Sequence, residues 1–174
     1  MAIQEFVEKS LGSWRSLRSV HHLAFSYLEQ VNSEIEIQSL APDSPEVISL
    51  CQQYDIEPAL ARCPFKMSWE GESDWDENQE LKGTTILVPI PDPDNPSRGR
   101  LLRDTGYAET IPAIAHYQIL PDGTFVLTTK YDRASAEEKI WFANPNLRFR
   151  VSMIKTSEGR GVTTASFSSE IRIS

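Results

Sequence analysis

Closely spaced turn signals in the last third of the chain constrain its fold more than any other feature. Pro121-Asp122-Gly123, Asn144-Pro145-Asn146 and Glu158-Gly159-Arg160-Gly161 separate runs rich in β-branched and aromatic residues. Such turns set φ values that strands cannot adopt, so the runs between them read as hairpin strands. They cover Ile111 to Leu120, Thr124 to Tyr131, Ile140 to Ala143, Leu147 to Thr156 and Val162 to Ile173. Shorter strand-like segments precede them at 14–28, 34–40, 64–72 and 84–90. Two helices interrupt the pattern. Ile3, Phe6, Val7 and Leu11 recur at helical spacing, and a second helix over 44–57 opens with Ser44, Pro45 and Glu46, an N-cap type before an N1 proline and a first-turn acid. Residues 91–106 are rich in Pro, Asp and Gly and read as a long inter-strand loop. The expected fold is all-β: an antiparallel up-and-down barrel of about ten strands, in one domain over 1–174.

Charge and cysteine content narrow the function. At 174 residues, one core can bury roughly 70% of the unfolded surface without a metal or disulfide staple. The formal charge of −8 argues against sequence-neutral binding to nucleic acid or anionic lipid, which depends on excess Lys and Arg. Cys51 and Cys63 match no zinc spacing and read as free, inert thiols in a reducing, cytoplasmic setting. No secretory signal and no membrane-length apolar run is expected. Gly-x-Ser-x-Gly, His-Glu-x-x-His, Walker and Gly-x-Gly-x-x-Gly motifs are missing from the sequence, which disfavours nucleophilic hydrolysis, zinc catalysis and phosphoryl transfer.

Strand parity supplies the candidate site. In Leu147-Arg148-Phe149-Arg150-Val151-Ser152, Arg148 and Arg150 share one face while Leu147, Phe149 and Val151 share the other. Two readings stay open. The ordinary one buries the apolar set and leaves both arginines in water. The other aims the guanidiniums into the barrel, where their planar forks clamp carboxylates. The second requires counter-charges, and Glu138 and Glu170 are the candidates. On the first strand Trp14, Ser16, Arg18, Val20 and His22 share a parity, which turns His21 outward. Phe65, Met67 and Trp69 form another one-sided stripe, and Trp75, set among carboxylates, suggests a lid or a partner contact.

Gly12-Ser13-Trp14, after a short helix, resembles the Gly-x-Trp signature of lipocalin-like barrels, in which an arginine of a late strand, here Arg172, covers the indole. Four ordered stretches extend the likeness: Phe6 through Phe25, Met67-Ser68-Trp69-Glu70, Glu137 through Arg150, and Ala165 through Arg172. Together they resemble the S-type (CpcS/CpeS) phycobiliprotein lyases. The resemblance implies a lipocalin-type barrel that binds an open-chain phycobilin, with phycocyanobilin the expected species. It implies delivery of that pigment to an apo-phycobiliprotein subunit, where a thioether forms on a cysteine of the acceptor. It places Glu138 and Arg148 in the chemistry and Arg18, His22, Met67, Trp69, Arg150 and Glu170 against the pigment, with no cofactor and no metal. A second copy or a related lyase subunit is an expected partner. The alternatives are a non-catalytic carrier of a tetrapyrrole or fatty acid, and an assembly factor that uses Trp75 and the 91–106 segment as its contact surface.

Overall fold

The computed structural model describes residues 1–23, 26–74, 80–104, 114–156 and 161–174. Two helices, α1 (Ile3–Ser10) and α2 (Pro45–Gln53), accompany ten strands: β1 (Gly12–His22), β2 (Tyr27–Ser39), β3 (Phe65–Ser73), β4 (Glu80–Asp92), β5 (Asn95–Arg103), β6 (Ala115–Ile119), β7 (Phe125–Lys130), β8 (Ala134–Asn144), β9 (Leu147–Thr156) and β10 (Val162–Arg172). Every sequential pair is antiparallel, and β1 pairs with β10 to close the barrel. This is the expected up-and-down architecture, and closure leaves no sheet edge exposed among the described residues.

The turns follow from their residues. Asp122 Oδ1 accepts the Thr124 N–H at 2.9 Å while Gly123 takes φ 88°. Asn144 Oδ1 accepts the Asn146 N–H at 2.9 Å, which fixes the β8–β9 hairpin. Two expectations need correction. The 14–28 segment is two strands, since the chain reverses between His22 and Tyr27 with Ser26 at φ 51°. The 91–106 segment is mostly strand. Asp92 Oδ1 accepts the Asp94 N–H at 2.9 Å to make a tight turn, and β5 begins at Asn95. Gly99 lies so close to β4 that a Cβ there would stand 2.4 Å from the Ile90 carbonyl oxygen. The glycine that looked like a loop signal is thus a strand residue at a close backbone approach.

α1 plugs one end of the barrel. Ile3, Phe6 and Val7 pack against Leu87, Leu101, Tyr117, Phe125, Leu127 and Ile140, and the Phe6 and Phe125 rings stack at 4.3 Å. α2 is shorter than the 44–57 reading, and a 3-10 turn follows at Pro58–Leu60. It lies outside the barrel, where Val47, Leu50 and Cys51 cover Val88, Ile90 and Leu102. With α1 below and α2 outside, β5 is buried on both faces, so Leu101, Leu102 and Arg103 are all buried in succession. No helix among the described residues is long and apolar enough to cross a membrane.

Candidate functional site

The lumen above the α1 plug is polar. β9 turns Arg148 and Arg150 inward, and β10 turns Ser168 and Glu170 inward beside them, with Glu170 directly opposite Arg148. The serines create the room: Ser16 faces Glu170 from β1, and Ser152 pairs with Ser166 between β9 and β10. Of the two readings that parity left open, the inward arginines hold.

Their charges are matched. Arg148 Nε donates to Glu170 Oε1 at 2.5 Å, with both side chains 1% exposed. Arg150 pairs with Glu138 across the β8–β9 diagonal, and its Nε lies 3.3 Å from Glu170 Oε2. Burial dominates at Arg148 and, opposed by Glu170, brings its guanidinium down to about 10, so it remains a cation at neutral pH. Burial also pushes the Glu170 carboxyl up, but Arg150 and Arg148 outweigh it and hold the group below its ordinary range. Trp14, fully buried, has the Arg148 guanidinium 4.7 Å and that of Arg172 4.2 Å from its ring, which bears out the Arg172 expectation.

A cavity of about 330 Å³ occupies the upper lumen, away from α1, and Arg18, Met67, Trp69, Glu138, Arg150 and Glu170 all line it. Arg148 does not reach this cavity; it borders a smaller one of about 40 Å³ beneath, with Arg103, Phe6 and Met67. Across both cavities Arg18, Arg103, Arg148 and Arg150 face Glu137, Glu138 and Glu170, so cations outnumber anions by one inside a chain of net charge −8. Arg18 Nε and Arg148 Nη2 are buried donors with no hydrogen-bond partner among the described residues. Such donors cost free energy unless a ligand takes them up.

Trp69 owes its place to Gly83, its cross-strand partner on β4. A Cβ at 83 would stand 2.4 Å from Trp69 Cζ2, so the indole lies on bare backbone. His22 is absent from the cavity lining and sits further along β1, with Nε2 3.1 Å from Glu29 Oε1. Glu29 also accepts from the Ser73 hydroxyl. His21 is exposed, as parity expected. Trp75 lies outside the described residues. Sequence reasoning missed Arg103, because the segment that carries it was read as loop, and it missed Glu29, whose inward parity with Val31 was the available signal. Both cysteines are free, and burial pushes both thiols up, Cys63 to about 11.

Three comparisons bear on this geometry. The CpeS-like protein family model matches residues 2–173. Chromophore lyase CpcS/CpeS 3 of Trichodesmium erythraeum is 59% identical, over 99% of this chain and 99% of that protein. Phycocyanobilin lyase subunit CpcS of Picosynechococcus sp. is 38% identical, over 98% of this chain and 87% of that protein. The structure of the S-type phycobiliprotein lyase CPES from Guillardia theta superposes with a TM-score of 0.87 at 51% identity, covering 100% of this chain and 94% of that one. The polar-lumened barrel described above therefore belongs to the CpeS-like family of chromophore lyases.

Proposed function

We propose that the upper lumen binds an open-chain phycobilin and that the chain promotes its thioether attachment to a cysteine of an apo-phycobiliprotein subunit. The observation that carries this reading is the charged lining of that lumen, where Arg150 lies beside Glu138 and Glu170, together with the buried Nε donor of Arg18, which lines the same cavity and has no hydrogen-bond partner among the described residues. A phycobilin brings two propionates, which suit guanidinium forks. Its pyrrole N–H groups are donors, and Glu138 accepts from them, favouring the protonated, conjugated cation. Trp69 and Met67 supply polarisable surface for the flat rings. At about 330 Å³ the cavity is at the low end of ligand pockets, which run to about 1,000 Å³. It holds part of a tetrapyrrole, and the remaining rings project from the mouth where an acceptor can reach them.

The bond-forming step uses the acceptor's thiol. Its sulfur adds to the ethylidene carbon of the terminal ring, the double bond is consumed, and the proton ends on the pigment. The lyase fixes one conformer and raises its electrophilicity. The raised thiols of Cys51 and Cys63 support a chain that contributes no sulfur of its own. The setting is the compartment of the apo-phycobiliprotein, the cytoplasm of a cyanobacterium or the stroma of an algal plastid.

Co-expression of the chain with a phycocyanobilin or phycoerythrobilin source and candidate acceptor subunits tests this reading. A denaturing gel read by pigment fluorescence should show a covalent adduct that depends on the chain. Pigment bound to the chain without any adduct would make it a carrier, and no pigment binding would overturn the reading entirely.

A further inference from the structure

A row of hydrogen-bond donors crosses the outer wall of the barrel beside α2. Arg100 on β5 stands directly opposite His116 on β6, and His116 stands opposite Thr128 on β7. All three point outward, since strand alternation places their neighbours Leu101, Ala115 and Leu127 in the core. They line an open groove of about 550 Å³, banked on the β4 side by Ile90, Pro91 and Pro93. β5 ends toward the mouth at Arg103, three residues and about 10 Å above Arg100.

The surrounding charges leave the centre of this row cationic. Asp92 is held by Arg98 at 3.1 Å on one side, and Glu137 by Lys139 at 3.7 Å on the other. Arg100 is half-buried and His116 exposed, and neither makes an ion pair or side-chain hydrogen bond among the described residues. Further round the barrel the polarity is opposite: Glu34 and Glu36 on β2 and Glu70 and Glu72 on β3 are all exposed. A chain of −8 thus attracts carboxylates on one flank and repels them on another, which orients an acidic partner. The donors span three strands, about 10 Å, which is more than one carboxylate covers. The prolyl bank adds apolar surface that a small free anion does not use.

We infer that this groove holds an acidic segment of the acceptor subunit while the acceptor's cysteine sits at the mouth. The inference rests on the proposed function, which requires one protein partner, and it supplies the surface that holds that partner. Charges on such a flank act on encounter and orientation, so they set how much acceptor is needed and leave pigment binding alone.

The test is transfer of phycocyanobilin from the purified chain to the acceptor subunit identified by co-expression, followed at increasing acceptor concentration. Arg100→Gln and His116→Glu should each raise the acceptor concentration at half-maximal rate about 10-fold. The maximal rate, the absorption of chain-bound pigment and the far-ultraviolet circular dichroism spectrum should stay native. Raising salt from about 0.05 to 0.5 M should bring the native chain toward the variants. His116→Glu, at the exposed position, gives the same readout should Arg100→Gln fail to fold. Variants with the native acceptor dependence would overturn the inference, and weaker binding of inorganic phosphate by those variants would then assign the groove to a small oxyanion. Variants that lose pigment binding would overturn it too, by assigning the groove to the pigment's own acids. A native chain that forms no adduct would sink the lyase reading and this inference with it, a result distinct from adducts formed equally well by all three chains.

Discussion

Replacing Glu170 by Gln probes the charge arrangement most sharply. Glu170 is 1% exposed and neutralises Arg148, also 1% exposed, while supporting Arg150. Gln keeps the volume and one acceptor but removes the charge, leaving a guanidinium in a site that has already drawn it down to about 10. Breaking a buried pair from one side costs about 3–5 kcal/mol, against about 0–1 for an exposed pair. For a chain of 174 residues, about 2–4 °C per kcal/mol converts this to a midpoint lowered by roughly 6–20 °C. The assay is thermal unfolding followed by circular dichroism, with a guanidinium melt to confirm that the m-value is unchanged. The double variant Arg148→Met/Glu170→Leu should recover most of the loss, because an apolar pair carries no desolvation penalty. A Glu170→Gln loss below about 1 kcal/mol would show that the pair behaves as a solvated one, and the reasoning would fail.

Four further outcomes follow from the same geometry. Gly83→Ala should displace the Trp69 indole, shifting the absorption of bound pigment while the far-ultraviolet spectrum stays native; an unchanged pigment spectrum would mean the indole does not touch it. Glu138→Gln should shift the pigment band by removing the carboxylate that accepts from pyrrole N–H, and identical titrations for variant and native chain would take Glu138 out of the pocket. Glu170 lies below its ordinary range when folded, so its stabilisation is complete above the unfolded value of about 4.3 and fades as pH falls through the folded value. Urea melts between pH 7 and 3 should therefore lose stability more steeply for the native chain than for Glu170→Gln, and parallel profiles would contradict this. Finally, with its thiol at about 11, Cys63 is about one part in a thousand thiolate at pH 8, so alkylation should run some hundred-fold slower than for a free cysteine. Cys63→Ser should retain transfer, and loss of transfer in a folded variant would bring that sulfur into the chemistry.

Much of this arrangement was legible in the residues. Turn chemistry at 121–123 and 144–146 located the hairpins, and helical spacing located the α1 plug. Alternation in β9 grouped Arg148 with Arg150 but could not choose their face. The rule that apolar faces point inward comes from barrels with filled apolar cores, and this lumen is polar enough to reverse it. The family motifs supplied the choice where periodicity did not. Arg103 escaped because its strand is covered on both faces, by the barrel's core and by α2, so β5 shows no alternation to read. Its prolines and Gly99 then suggested a loop. The division of the lumen into an upper cavity and a smaller one bordered by buried Arg148 depends on how side chains stack along the barrel axis, which residue order does not encode.

The central claim is that lumen guanidiniums hold the acid arms of a linear pigment. Fluorescence titration of the native chain with free phycocyanobilin, and with its dimethyl ester, tests this directly. The ester masks both propionates, and each one held by a guanidinium loses charge-assisted bonds worth about 1.5–3 kcal/mol, so the ester should bind at least about 10-fold more weakly. Equal affinity for acid and ester would show that the arginines of the lumen do not hold the pigment.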